Sequence, residues 1–173
     1  YIVRAFDVVA AEARLDIFTP EAGTFSALGI GYASDWSPDG KSLLLIHFVS
    51  ANESYLWVYD LATRRKREIE PAKVKAARGG NFSRDGKGVY FTSDLGSEFR
   101  TLRYADLATG KVTPLTDHVK WDVDDFVLSL DGRYLAYVVS VGDRSSLNVR
   151  QVRTGSDVPI LPPQEFRVHG ISF

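Results

Sequence analysis

Glu53, Glu98 and Asp143 stand 45 and 45 residues apart, each in a polar stretch between two apolar runs. Evenly spaced carboxylates can be brought to one rim, where their fields add and favour a cationic group such as the free amino terminus of a peptide. These three are the candidate substrate-binding residues. The competing reading is that surface loops carry charge for solubility. Other chemistry is sparse. No Gly-x-Ser-x-Gly string occurs, so a hydrolase nucleophile elbow is missing from these 173 residues and no catalytic residue is assigned. The histidines, His47, His118 and His169, show no zincin spacing and no Cys accompanies them, so no metal site is assigned. Gly29-Ile30-Gly31-Tyr32-Ala33-Ser34 approaches a dinucleotide fingerprint but runs into Trp36 and a hairpin turn instead of a helix. The acidic run Asp117, Asp122, Asp124 and Asp125 lacks the EF-hand order and reads as a solvated loop. No cofactor is expected.

Composition narrows the class. With 45% hydrophobic and 25% charged residues, the chain carries enough apolar surface to build a core, which rules out disorder as its main state. A net charge of −1 gives no global field towards nucleic acid or an anionic membrane, and neither is expected as a partner. No apolar run approaches the roughly 18 residues of a spanning helix. The absence of Cys excludes disulfides and thiolate chemistry and leaves the compartment open. There is no Met, and Tyr1-Ile2-Val3-Arg4-Ala5-Phe6-Asp7 reads as a strand already under way, so the chain is expected to be a fragment.

What could position the three carboxylates is a repeat. Ser37-Pro38-Asp39-Gly40 recurs as Ser83-Arg84-Asp85-Gly86 and Ser129-Leu130-Asp131-Gly132, with steps of 46 and 46 residues between the Asp. Asp60-Leu61-Ala62-Thr63 returns as Asp106-Leu107-Ala108-Thr109 after the same 46. Asp-Gly supplies its own turn: Asp bonds nearby backbone and Gly accepts the positive φ that closes a hairpin. After each turn comes a run apolar on both faces, Leu43 to Phe48, Val89 to Thr92 and Tyr134 to Val139, as a strand between two layers must be. A third strand follows over Tyr55–Asp60, Leu102–Asp106 and Leu147–Gln151, and a shorter polar fourth over Lys66–Glu70, Lys111–Thr116 and Asp157–Leu161. Adding the segment before each turn gives four antiparallel strands per repeat.

Such units cannot bury themselves alone and must stack on neighbours, which is the logic of a β-propeller blade. The expected fold is therefore all-β: about three and a half four-stranded blades in an incomplete ring. The repeat limits are a half blade over 1–35, blades over 36–81, 82–127 and 128–172, and the start of another at 173. Two open edges would pair within a larger ring or with a second copy. Val8 to Leu15 and Ala72 to Ala77 have helix-forming composition, but the repeat places the first at a strand junction and the second between blades. Tyr32, Asp124 and His169 fall on inner strands, near the expected channel.

Trp36-Ser37-Pro38-Asp39-Gly40-Lys41 before an apolar strand, with Asp60-Leu61-Ala62-Thr63 and Asp106-Leu107-Ala108-Thr109-Gly110-Lys111, resembles the TolB-like propeller repeat. The segments Val49–Trp57, Gly96–Phe99 and Lys120–Phe126 are similar more specifically to the bacterial prolyl-oligopeptidase family. Trp121-Asp122 lacks the preceding Gly-His of a WD-type repeat. Kinship with the peptidases implies a serine peptidase in which a propeller precedes an α/β-hydrolase domain and restricts access to it. The chain would then be the non-catalytic propeller part, with the hydrolase domain and a peptide substrate as partners. The alternatives are a TolB-like periplasmic protein-interaction scaffold and a small propeller enzyme acting in its own channel on a sugar or lactone.

Overall fold

Each Ser-x-Asp-Gly tetrapeptide closes as its residues dictate. In the three copies the Gly N–H donates to the Ser carbonyl at 2.8, 2.9 and 2.8 Å. Gly40, Gly86 and Gly132 take φ of 68°, 70° and 70°, the left-handed region that costs Gly little. The Ser hydroxyl donates to the Asp carboxylate at 2.7 Å in all three. The same hydroxyl accepts the N–H of the first residue of the next strand, Ser42, Gly88 or Tyr134. Pro38, Arg84 and Leu130 occupy the variable position without altering the turn, so Asp-Gly with its Ser carries the information.

The computed structural model describes residues 2–8, 12–19, 24–30, 32–72, 75–160 and 171–172, with side chains from residue 32 onward. Every regular element among them is a strand. β1 (Ile2–Val8), β2 (Glu12–Thr19) and β3 (Thr24–Ile30) form a three-stranded antiparallel sheet. A second sheet joins β4 (Tyr32–Trp36), β5 (Ser42–Ser50), β6 (Glu53–Asp60) and β7 (Lys66–Ile69). The third holds β8 (Ala77–Phe82), β9 (Gly88–Ser93), β10 (Thr101–Asp106) and β11 (Val112–Pro114). The fourth holds β12 (Val123–Leu128), β13 (Tyr134–Val141), β14 (Arg144–Gln151) and β15 (Asp157–Val158). Each is an antiparallel meander, and the sheets pack on one another in chain order as an open arc.

Two expectations need restating against this. The hydrogen-bonded sheets run 32–69, 77–114 and 123–158, because the Asp-Gly turn is a hairpin and limits drawn at 36, 82 and 128 divide it. The segment 1–35, read as a half blade, contributes three strands to its own sheet, while Tyr32–Trp36 pairs with β5 of the next. As the repeat implies, the helix-forming stretch from Val8 to Leu15 spans a strand junction, with Val8 opposite Glu12, since tertiary pairing overrides a weak local preference. His169 and Phe173 lie outside the described residues.

Alternation along the central strands builds the core. Leu44, Ile46 and Leu56 of the second sheet meet Val89, Phe91 and Ala105 of the third. From its other face, Tyr90 and Leu102 meet Leu135, Tyr137 and Val139 of the fourth. Successive residues of β9 thus serve opposite interfaces, which is why the run must be apolar on both sides. Each fully buried Leu here stabilises by roughly 2 kcal/mol. Glycine is favoured where neighbours come closest: a Cβ on Gly80 would lie 2.5 Å from Leu44 Cδ2 of the second sheet, and one on Gly88 2.2 Å from the Tyr104 ring on the adjacent strand.

One patch between the second and third sheets is ionic. Glu70 follows β7 with φ 53° and pairs with Arg103 of β10, both side chains only 8% exposed. Lys75, fully buried, places Nζ 2.8 Å from the Ile69 carbonyl and 3.0 Å from Glu68 Oε1, and also donates to the Glu70 carbonyl. Glu70 Oε2 is a buried oxygen with no hydrogen-bond partner among the described residues.

Candidate functional site

The meander sends the Asp-Gly turns to one end of the arc and the connections between second and third strands to the other. β4, β8 and β12 begin at that second end. Steps of 46 residues put Tyr32, Arg78 and Asp124 at equivalent positions on the three strands. All three strands shift register beside these residues, between Ala33 and Asp35, Arg78 and Asn81, and Val123 and Asp125. Such bulges re-aim side chains that a regular ladder would hold flat. Adjacent strands are laced by Ser34 Oγ donating to the Gly80 carbonyl at 2.8 Å and by the Phe82 N–H donating to Asp35 Oδ2 at 2.8 Å.

Ser34, Arg78, Asn81, Thr92, Asp124 and Asp125 line a polar cavity of about 230 Å³. Arg78 is anchored from the β5–β6 connection, with Nη2 donating to the Ala51 carbonyl at 2.8 Å. Arg100, from the β9–β10 loop, reaches Asp124 at 2.7 Å and Asp122 at 3.1 Å. Ser140 donates to the other oxygen of Asp124. Asp125 turns to its own strand and accepts the Phe126 N–H at 2.8 Å. Asp122, Asp124 and Asp125 of the acidic run are thus held by hydrogen bonds, Asp117 is exposed, and Arg78 shares the cavity wall with Asp124 and Asp125. Burial pushes the Tyr32 phenol up, partly offset by the charge of Arg78.

The three evenly spaced carboxylates lie on this same end but in different settings. Glu53 opens β6, half-buried, and accepts the Tyr55 hydroxyl at 2.6 Å, a bond that pushes the phenol up. Glu98 is exposed within the seven-residue loop over 94–100. Asp143 is in the two-residue turn between β13 and β14, 86% exposed, 3.9 Å from Arg144 Nε. No hydrogen bond or ion pair joins any two of them among the described residues. Equal spacing does not give equal placement, because β9 is shorter than β5 and β13 and its following loop longer.

Of the inner-strand expectations, Asp124 lines the cavity and Tyr32 is 46% exposed at its strand end. His47 is on β5 with its ring 6.2 Å from that of Tyr55, and His118 is exposed, 3.9 Å from Asp117. Arg78 and Arg100 were not singled out by the sequence. Arg78 had a signal, standing 46 residues from both Tyr32 and Asp124. Arg100 had none, since its role depends on the shape of its loop. The same end exposes Phe48, Val49, Val141 and Trp121, whose ring is 6.4 Å from Phe99.

No family model matches the chain. It is 30% identical over 102 residues to an uncharacterized peptidase, YuxL, of Bacillus subtilis, covering 59% of this chain and 14% of that protein. It is 26% identical over 132 residues to dipeptidyl-peptidase 5 of Porphyromonas gingivalis, covering 69% of this chain and 19% of that one. The chain therefore spans less than a fifth of the curated relatives it matches. Among solved structures, TolB from Acinetobacter baumannii superposes with a TM-score of 0.67 at 23% identity, over 90% of this chain and 39% of TolB. A puromycin-hydrolyzing peptidase of Mycobacterium tuberculosis gives 0.68 at 17%, over 95% and 32%. What these proteins share with the chain is the architecture of stacked meanders. The chain has the fold of a β-propeller segment, similar to part of TolB and to part of the puromycin-hydrolyzing peptidase.

Proposed function

We propose that this chain is the non-catalytic propeller part of a prolyl-oligopeptidase-like serine peptidase, docking against an α/β-hydrolase domain of the same protein and gating peptides that pass to it. The observation that carries the reading is the character of one end of the arc. That end carries the Arg78–Asp124 cavity, the connections that hold Glu53, Glu98 and Asp143, and the exposed side chains of Phe48, Val49, Trp121 and Val141. Apolar side chains gathered at one end suit contact with a second domain. The carboxylates favour the amino terminus of a peptide approaching the channel.

The test uses the full-length protein. Replacing Glu53 and Glu98 together by Gln raises KM for peptides with a free amino terminus more than for N-blocked ones, and equal changes for both remove the recognition role. A serine-directed fluorophosphonate labels the full-length protein and leaves this chain by itself unlabelled. Label on this chain overturns the reading. The likeness to TolB favours a second reading, a periplasmic protein-interaction scaffold with self-association through its open edges as a further route to assembly. A full-length protein that takes no label selects it.

A further inference from the structure

The third sheet makes two interfaces that differ at one place. Against the second sheet, Leu44, Ile69, Val89, Ala105 and Leu107 belong to one apolar cluster. At the equivalent positions against the fourth sheet, 45 or 46 residues on, stand Tyr90, Leu115, Leu135, Arg150 and Val152. Between these five lies a cavity of about 260 Å³, further bounded by Tyr104, Thr113 and Gly155. The largest change of type is Ala105 to Arg150, a small apolar residue replaced by a cation.

Two groups facing this cavity have donors to spare. Arg150 Nε donates to the Gly155 carbonyl at 2.8 Å and Nη1 to the Leu115 carbonyl, but Nη2 has no partner among the described residues. Asp157 approaches Nε only to 3.5 Å and leaves Nη2 open. Tyr90 is 93% buried by its 7% exposure, and its hydroxyl has no hydrogen-bond partner among the described residues. Burial pushes that phenol up to about 12, so at neutral pH it is an O–H donor. Its ring is 5.0 Å from that of Tyr104, at 50°. Leu115, Leu135 and Val152 supply apolar walls, and Tyr104 and Thr113 add a hydroxyl each. A largely apolar cleft with a few polar groups is the usual make-up of a small-ligand site, and an open guanidinium nitrogen favours an anionic oxygen.

We propose that this inter-blade cavity binds a small apolar carboxylate, its carboxylate on Arg150 Nη2 and its apolar body among Tyr90, Leu115 and Leu135. The site is independent of the peptidase reading, because it lies within a blade interface, apart from the Arg78–Asp124 cavity. The experiment titrates the chain with 3-phenylpropanoate and, separately, with the uncharged 3-phenylpropan-1-ol, following the tyrosine ring signals by NMR. The acid gives saturable shifts at Tyr90 and Tyr104 and binds at least tenfold more tightly than the alcohol. Arg150→Gln removes that preference, and Val152→Phe, which fills the space, removes binding of both while the far-UV circular dichroism stays that of a β protein. The proposal is overturned by an absence of saturable shifts, by equal affinity for acid and alcohol, or by a folded Val152→Phe chain that still binds. Should a variant fail to fold, the acid-to-alcohol ratio of the unaltered chain decides alone.

Discussion

The two ends of the arc follow opposite rules. At the turn end three tetrapeptides repeat the same hydrogen bonds to within about 0.1 Å. At the other end the three equivalent connections differ in length, charge and contacts, from the two-residue turn at Asp143 to the seven-residue loop that carries Glu98 and Arg100. Local chemistry fixes the first end, and each turn would form in much the same way alone. The second end is shaped by which sheet lies next to which, and variation there leaves the core intact. Stability should therefore concentrate at the turns, and selectivity at the connections.

The strongest challenge to that contrast is Gly88→Ala, just past a turn. With a Cβ that would sit 2.2 Å from the Tyr104 ring, we expect a loss of about 3 kcal/mol by denaturant titration. A loss below about 1 kcal/mol would show that the turn end yields as easily as the connections do.

Acid acts next. Hydrogen bonds from Ser37, Thr63, Ser83 and Thr109, with neighbouring backbone N–H groups, hold the carboxyls of Asp39, Asp60, Asp85 and Asp106 below the usual range. The Arg133 and Ser129 bonds bring Asp131 down to about 2. A carboxyl whose folded pKa is depressed stabilises the fold above the unfolded value near 4, and that contribution is lost as pH falls towards the folded one. Tm should therefore hold between pH 7 and 5 and fall from about pH 4 towards pH 2. Asp131→Asn should flatten the lowest part of the fall. A Tm that declines mainly above pH 5 would place the pH-sensitive groups elsewhere.

Arg64→Gly sharpens the contrast in the other direction. Arg64 takes φ 57° where its counterparts are Gly110 at 74° and Gly155 at 68°. Glycine there should raise stability by about 1 kcal/mol. Smallest of all, Glu98→Gln on its exposed loop should leave stability within about 0.5 kcal/mol of the unaltered chain by the same titration. A larger loss would mean that the connection end helps to hold the fold.

What the sequence reveals follows the same division. The Ser-x-Asp-Gly turns and the doubly apolar strands after them are legible because turn geometry and strand patterning are written locally. The strand count of the first sheet is not, because the repeat aligns its opening strand with a third strand, whereas β1, β2 and β3 precede β4 as β5, β6 and β7 precede β8. Nor is the Arg78–Asp124 cavity. Its shape rests on register shifts in three strands, and a one-residue change in pairing reverses the face on which a side chain stands. Glu53, Glu98 and Asp143 show the limit of counting: their interval is regular, but a short β9 and a long loop spoil the symmetry it implies.

The ionic patch of Glu70, Lys75 and Arg103 bears on how a chain of near-copies avoids assembling in the wrong order. Blades that look alike to the hydrophobic effect could trade seats, because Leu, Val and Phe accept one another readily. Seat the third sheet against any neighbour but the second, and Arg103 loses its carboxylate inside a dry interface, a fault that typically costs 3–5 kcal/mol. Three charged side chains thus act as an address for this blade, fixing its place in the sequence of layers even though greasier residues would have glued it more tightly.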